Sequence, residues 1–593
     1  MAANNTETRG GPSALQRVVN HFREFGEWLT AGNWVYGAIA FLVIGALILP
    51  PISLPQRLHI TGYTRLSAAN PSVSHPDGLT VGINPEDNVS LRVRLDSVPQ
   101  AIFLQGSAGA DLKEALAALP PVLQVKSPFY RIQTGSRTTG PATIEVIIPN
   151  DAEPWETLDL YTWTGTTWEW VGGTLDRERE VLIARVPRLP SSVVVMQTLP
   201  VVPAIGTVAE GEAVSGPTAG LLTQVMLPGL YLGADGMLIG KPPARPSGSP
   251  EALLLVGNRP AGQPLNRALL EDLLANPDVQ ARHIAEILSH AAGYAGVTLD
   301  YEGLMPEGRE AFSAFVAALA DALHAQGLRL EVMVPAPSRT DSGWDSGGYD
   351  WAALGRAADA LVFPLPDNPI AYAEGGAVQS LMEWAVGQVS RYKLRAAVSS
   401  LSADSGPDGV RYVGLEEALA PFGQVQPPAE SSVQPGQEVV FALVGQVTSI
   451  TPQEAAGTYA IAYKTEQGES RTLWLGTPSF LARKLDWALR YHLGGVVVHD
   501  LFSAGNMPGV AEAVDGYRVA AGLPQPTALE VVWKVDGPQT AEARVTLSQP
   551  EFRWKAPEAA GTYTVSAAIA GVSRGACLLY TSDAADDLLC VDL

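Results

Sequence analysis

Residues 293–303 read Gly-Tyr-Ala-Gly-Val-Thr-Leu-Asp-Tyr-Glu-Gly. Side chains alternate along a strand, so Thr298, Asp300 and Glu302 share one face while Val297, Leu299 and Tyr301 share the other. A strand apolar on one side and carrying two carboxylates on the other suits a barrel in which the apolar set meets an outer layer of helices. The carboxylates then point inward, where an unused charge is costly. Glu302 falls at the C-terminal end of the strand, the end at which parallel barrels build their sites.

Outward from this stretch, apolar runs alternate with helical patterns from about residue 199 to 522. Leu253–Val256, Leu328–Val334, Ala360–Phe363, Leu394–Ser399 and Gly495–His499 are expected strands, while 269–290 and 307–325 have helical periodicity, the second stopped by Gly327. The alternation predicts a (β/α)8 barrel whose first strand has no clear counterpart. Residues 406–473 read as an α+β insertion with strands at 438–447 and 458–464.

Residues 57–198 change to short β-rich runs between Pro, Gly, Asn and Asp, predicting a β-sandwich with strands at 79–83, 89–95, 143–148, 158–163, 181–186 and 193–196. The run from Leu158 to Trp168 reads as a hairpin, and the domain resembles extracellular ZU5-like β-domains. Trp163, Trp168 and Trp170 are expected to pack across strands rather than to stack on sugars. Residues 523–575 resemble a partial immunoglobulin-like domain. The last stretch, 576–593, resembles translated sequencing-adapter read-through and holds both cysteines, Cys577 and Cys590.

Residues 34–54 begin with WVYGAIAFLVIGALIL, an uncharged run close to the ~20 residues that span a bilayer. The expectation is a single transmembrane anchor, preceded by a cytoplasmic or juxtamembrane segment (1–33) with amphipathic spacing over 14–29, and followed by a large extracytoplasmic part at the cell membrane. The 593 residues carry 61 acidic and 39 basic side chains, net −22, without a long basic run, so no nucleic-acid partner is expected. The histidines show no metal-ligand spacing and no phosphate-cradling loop is present, so no metal and no cofactor is expected.

The motif at 293–303 resembles the fourth barrel strand of family 18 glycoside hydrolases, particularly the branch of spore-cortex peptidoglycan hydrolases. That family's pattern, Asp-x-x-Asp-x-Asp-x-Glu, retains here only Asp300 and Glu302, with Ala295 and Thr298 at the earlier places. The resemblance, over roughly 220–520, implies cleavage of β-1,4 links next to N-acetylglucosamine in peptidoglycan or a chitin-like glycan. It implies a retaining, substrate-assisted route in which the substrate's own acetamido group attacks. Glu302 would be the general acid and base, and Asp300 would orient the acetamido group. Asp367, Asn258, Tyr231, Trp474 and His499 are the expected substrate-binding residues. The chain departs from the family at Pro366, where a tyrosine is usual, and at His499 or Asp500, where a tryptophan is usual. A glycan-binding, lectin-like envelope protein with impaired catalysis is the alternative.

Overall fold

The computed structural model describes residues 62–87, 91–135, 140–246, 248, 250–341, 343–426, 433–573, 576–580 and 589–592. The expected anchor at 34–54 and the segment before it lie outside the described residues. Among the described residues no helix is long and apolar enough to cross a membrane.

The N-terminal domain has the two expected sheets. One runs Thr64–Leu66, Leu91–Val98, Phe129–Thr134, Ser192–Thr198, Leu158–Trp163, Trp168–Gly172, with Leu123–Val125 also paired to Ser192–Thr198. The other runs Thr174–Asp176, Val181–Val186, Ala142–Ile147, Leu79–Gly82, Ser72–Ser74. Alternating residues such as Leu79, Val81, Ile144, Val146, Val193 and Val195 face inward and form the core between them. Trp163 and Trp168 pair across the hairpin and join Phe103 and Phe129 in a second cluster, where the Trp168 indole N–H donates to the Ala115 carbonyl (2.8 Å). These two tryptophans are packing residues, as expected.

The barrel is closed by eight parallel strands: β1 Ala204–Val208, β2 Gln224–Leu232, β3 Glu251–Gly257, β4 Gly296–Asp300, β5 Arg329–Met333, β6 Ala360–Pro364, β7 Leu394–Ser399 and β8 Gly495–His499. β1 pairs with both β2 and β8, which completes the ring. The first strand absent from the sequence reading is the short Ala204–Val208, interrupted by Gly206. β2 carries Pro228-Gly229 inside it, at a register irregularity, because proline cannot extend a regular ladder. Met226, Leu253, Leu255, Val362, Ala397 and Val497 fill the barrel interior. Val297, Leu299 and Tyr301 face the helices instead, in the large outer core.

The outer helices used below are α1 Arg267–Ala275, α2 Pro277–Ala291, α3 Arg309–His324, α4 Trp351–Ala357, α5 Ala377–Gln388, α6 Pro478–Arg490 and α7 Val510–Arg518. The single helix expected over 269–290 is two. Pro277 starts α2, and the Asn276 side chain caps it by accepting from the N–H groups of Asp278 (3.0 Å) and Val279 (3.4 Å). Gly327, at φ 72°, terminates α3 as the sequence implies.

Two further departures concern domain boundaries. The insertion and the C-terminal module, read as separate, share one core that joins Phe441, Ile461 and Leu473 to Val531, Trp533, Phe552 and Tyr563. Glu438–Phe441 of the insertion pairs antiparallel with Phe552–Lys555 of the C-terminal module. The segments 576–580 and 589–592, set aside in the sequence reading, both pair with Thr562–Ser573.

The sandwich docks on the barrel at the starts of β7 and β8. Arg391 reaches Asp159 through Nε–Oδ2 (2.8 Å) and Nη2–Oδ1 (2.9 Å), with both side chains fully buried. Its Nη1 donates to the carbonyls of Glu156 and Tyr491, both at 2.8 Å. Tyr392 donates to the Leu199 carbonyl (2.8 Å), and Arg177 pairs with Glu383 on α5 (3.0 Å).

Candidate active site

Asp300 ends β4 and Glu302 follows two residues later, at the mouth formed by the C-terminal strand ends. The Asp300 side chain makes no hydrogen bond or ion pair among the described residues. Burial, then the neighbouring Glu302 charge, pushes its carboxyl up to about 6, while Arg259 opposes them. A carboxyl so placed holds a proton for part of the time near neutral pH, which is what acid–base work requires. Glu302 is the more open of the two, its side chain 40% exposed, and its Oε1 accepts from Arg259 Nη2 (2.8 Å).

Asn258, one residue past β3 and 3% exposed, holds Glu302 by its backbone: the Glu302 N–H donates to Asn258 Oδ1 and Asn258 Nδ2 donates to the Glu302 carbonyl, both at 2.9 Å. Asn258, expected as a sugar contact, thus clamps the Glu302 backbone through both ends of its amide. The neighbouring Tyr301 carbonyl accepts from the Tyr349 hydroxyl (2.7 Å). On the helix side the Tyr301 hydroxyl meets His283 Nε2, and His283 Nδ1 lies 2.7 Å from the Gly236 carbonyl. A carbonyl only accepts, so Nδ1 carries the imidazole proton and Nε2 takes that of Tyr301. The strand end bearing the two carboxylates is thus tied from three sides, by Asn258, Tyr349 and His283. None of these ties had a local sequence signal beyond Asn258 itself. Thr298 is inward-facing as expected, but its buried hydroxyl has no hydrogen-bond partner among the described residues, so none of them links it to Asp300.

The other expected residues distribute around the mouth. Tyr231 on β2 is paired with Gly257, which is paired with Asp300. The half-buried Tyr231 ring lies over Gly257, beside the end of β4. His499 ends β8 with the inward alternation of Val497, and burial holds its imidazole below the usual range, against the opposing charges of Asp500 and Asp367. Asp500 adopts φ 61°, uncommon for a residue with a side chain, and accepts from the Ser399 hydroxyl (2.7 Å). Asp367, three residues past β6, accepts from the Tyr412 hydroxyl (2.9 Å) and pairs with Lys484 of α6 (3.6 Å). Trp474 sits in the insertion sheet, cross-strand to Ala403, which is cross-strand to Tyr412. Tyr412, Ala403 and Trp474 hence share one face of that sheet, and the bond from Tyr412 to Asp367 turns this face to the mouth. Tyr412 and Lys484 had not been anticipated from the sequence.

The fold and site define a (β/α)8 barrel with a carboxylate pair at the end of its fourth strand. No family model matches the chain. It is similar to the uncharacterized glycosylase YvbX of Bacillus subtilis (strain 168), 23% identical over 236 residues, covering 39% of this chain and 65% of that protein. It is also similar to the cortical fragment-lytic enzyme of the same organism, 26% identical over 242 residues, covering 40% and 53%. The chain thus spans between about half and two thirds of these relatives' length. Among solved structures, the chitinase of Chromobacterium violaceum aligns over 53% of this chain and 98% of its own, at 22% identity and TM-score 0.40. The spore cortex-lytic enzyme SleL of Bacillus megaterium QM B1551 aligns over 56% and 78%, at 18% identity and TM-score 0.39.

Proposed function

We propose that this chain is a glycoside hydrolase acting on a glycan that contains N-acetylglucosamine, peptidoglycan or a chitin-like polymer, at β-1,4 links. The observation that carries the reading is the pair at the end of β4. Asp300 is pushed up to about 6 by burial and by Glu302, and Glu302 is fixed at its backbone by Asn258 with its carboxylate open to the mouth. The glycosylase and lytic enzyme to which the chain is similar support the same class of chemistry.

In this reading the sugar enters between Tyr231 on one rim and the Tyr412–Trp474 face on the other. Its arrival displaces Arg259 from Glu302, and Glu302 donates a proton to the leaving oxygen. Glu302 then activates the water that completes hydrolysis. Asp300 orients the acetamido group, whose carbonyl acts as the internal nucleophile, so stereochemistry is retained without an enzyme nucleophile. We assign the 34–54 run as a single-pass anchor that places the barrel outside the cell membrane.

The deciding experiment is release of reducing ends from peptidoglycan and N-acetylglucosamine oligomers by the wild-type chain beside Glu302→Gln. Release abolished by the substitution supports the reading; equal release by both overturns the role of Glu302. One observation favours the lectin-like alternative: Arg259 occupies the Glu302 carboxylate that an acid must present to its substrate. Binding without release by wild type would establish that alternative.

A further inference from the structure

A second set of ionisable groups stands at the mouth, contributed by β6, α6 and the insertion, and the acid–base pair does not use it. Lys484 is 4% exposed at its side chain, and its ammonium lies 4.5 Å from the Phe480 ring centroid and 3.6 Å from Asp367. A buried ammonium is costly, and a single ion pair rarely repays that cost in stability. What such a pair does provide is a fixed geometry. Here it fixes one carboxylate oxygen of Asp367, and the other oxygen accepts a hydrogen bond from the Tyr412 hydroxyl.

Tyr412 itself is 48% exposed, at the end of the Gly409–Val413 strand and on the face shared with Trp474. An exposed ring whose hydroxyl is pinned from behind presents a defined surface. Because its one proton is committed to Asp367, the phenol oxygen has only lone pairs left. It therefore meets donors, the O–H groups of a sugar or the N–H of an acetamido group, and not carbonyls.

We propose that Tyr412 is a glycan-contacting residue that accepts a hydrogen bond from a donor on the bound sugar, with Asp367 and Lys484 as its positioning residues. This rests on the glycan reading above. The insertion then contributes specificity to a mouth whose acid–base groups come wholly from the barrel.

The test is calorimetric titration with the tetramer of N-acetylglucosamine, in a Glu302→Gln background so that the ligand survives, for the parent, Tyr412→Phe and Lys484→Met. Tyr412→Phe weakens binding about five- to tenfold, the effect of one lost hydrogen bond, without changing the melting temperature. In the catalytic chain the same substitution raises KM by that factor and leaves kcat within about twofold. Lys484→Met reproduces the loss; if it fails to fold, Tyr412→Phe decides alone. A parent that binds while Tyr412→Phe binds equally overturns this inference and leaves the glycan reading standing. A parent that binds no oligomer overturns both.

Discussion

Asn258 grips Glu302 by its backbone, offering its amide oxygen to the N–H and its amide nitrogen to the carbonyl, each at 2.9 Å. The clamp connects the end of β3 to the residue best placed for acid–base chemistry and fixes Glu302 without touching its carboxylate. Asn258→Ala would leave those backbone groups unpartnered at a cost of about 1–3 kcal/mol and let Glu302 wander. The expected outcome is a fall in kcat of tenfold or more with a lowered melting temperature. Asn258→Asp keeps the acceptor and loses the donor, so it should fall between. Reducing-end assays and thermal melts on the three chains check this.

Asp300 gives stability an unusual pH dependence. Its carboxyl titrates near 3.8 when unfolded and at about 6 when folded, so between these values the folded chain binds more protons and stability falls as pH rises. Below about pH 4 both states are protonated and the penalty vanishes; above about 6 it is complete, at up to ~3 kcal/mol. Asp300→Asn should therefore be more stable than wild type at pH 8 and equal at pH 3.5, while losing hydrolysis. Denaturant unfolding at the two pH values would show it; equal stabilities at pH 8 would refute the buried charge.

Arg259 opposes the rise at Asp300 and occupies the carboxylate of Glu302. With Arg259→Gln, the Asp300 carboxyl should titrate above its present value of about 6, and the acid limb of the activity profile should move to higher pH with it. Carbon-13 spectra of labelled aspartate across pH 4–8 report the first effect directly.

Trp474 is half-buried beside Tyr412 in the insertion sheet, with only Ala403 between them. If that face receives sugar rings, Trp474→Ala should weaken oligomer binding by about 1 kcal/mol or more, roughly fivefold, and leave the melting transition in place. Fluorescence titration of the two chains with N-acetylglucosamine oligomers separates this from a packing role, which would lower the melting temperature and spare binding.

The Asp159–Arg391 pair makes a different prediction. Both groups are fully buried, so Asp159→Ala strands a guanidinium in the seam and should cost about 3–5 kcal/mol. Replacing both partners by leucine and methionine should recover most of it. Calorimetry should show one transition for wild type and two for Asp159→Ala, since the seam couples the sandwich to the barrel.

Six of the eight barrel strands were legible because each is an apolar run bounded by glycine, proline or a charged helix. β1 and β2 were hidden by Gly206 and by Pro228-Gly229, residues that ordinarily argue against a strand and are tolerated here by a short element and a register irregularity. The Asn276-Pro277 helix start was present in the sequence as a capping signal and was overridden by continuous apolar spacing. Asp300 and Glu302 could be read locally, since two carboxylates on one face of a strand form a pattern. Tyr412 and Lys484 could not, because each reaches the mouth from a separate element and meets Asp367 only in three dimensions. The same holds for Asp159 and Arg391, 232 residues apart. The common core of the insertion and C-terminal module was missed because Glu438–Phe441 announces a strand without naming its partner.

The seam at Arg391 also sets a direction. It lies at the starts of β7 and β8, whereas the carboxylates lie at the finish of β4, so the sandwich and the mouth occupy opposite poles of the barrel. Because that contact is a buried, hydrogen-bonded seam, whatever holds the sandwich aims the mouth away from itself. On the glycan reading proposed above, reach then becomes a property of the protein: a polymer strand would meet the mouth at a standoff set by the stacked height of the two domains.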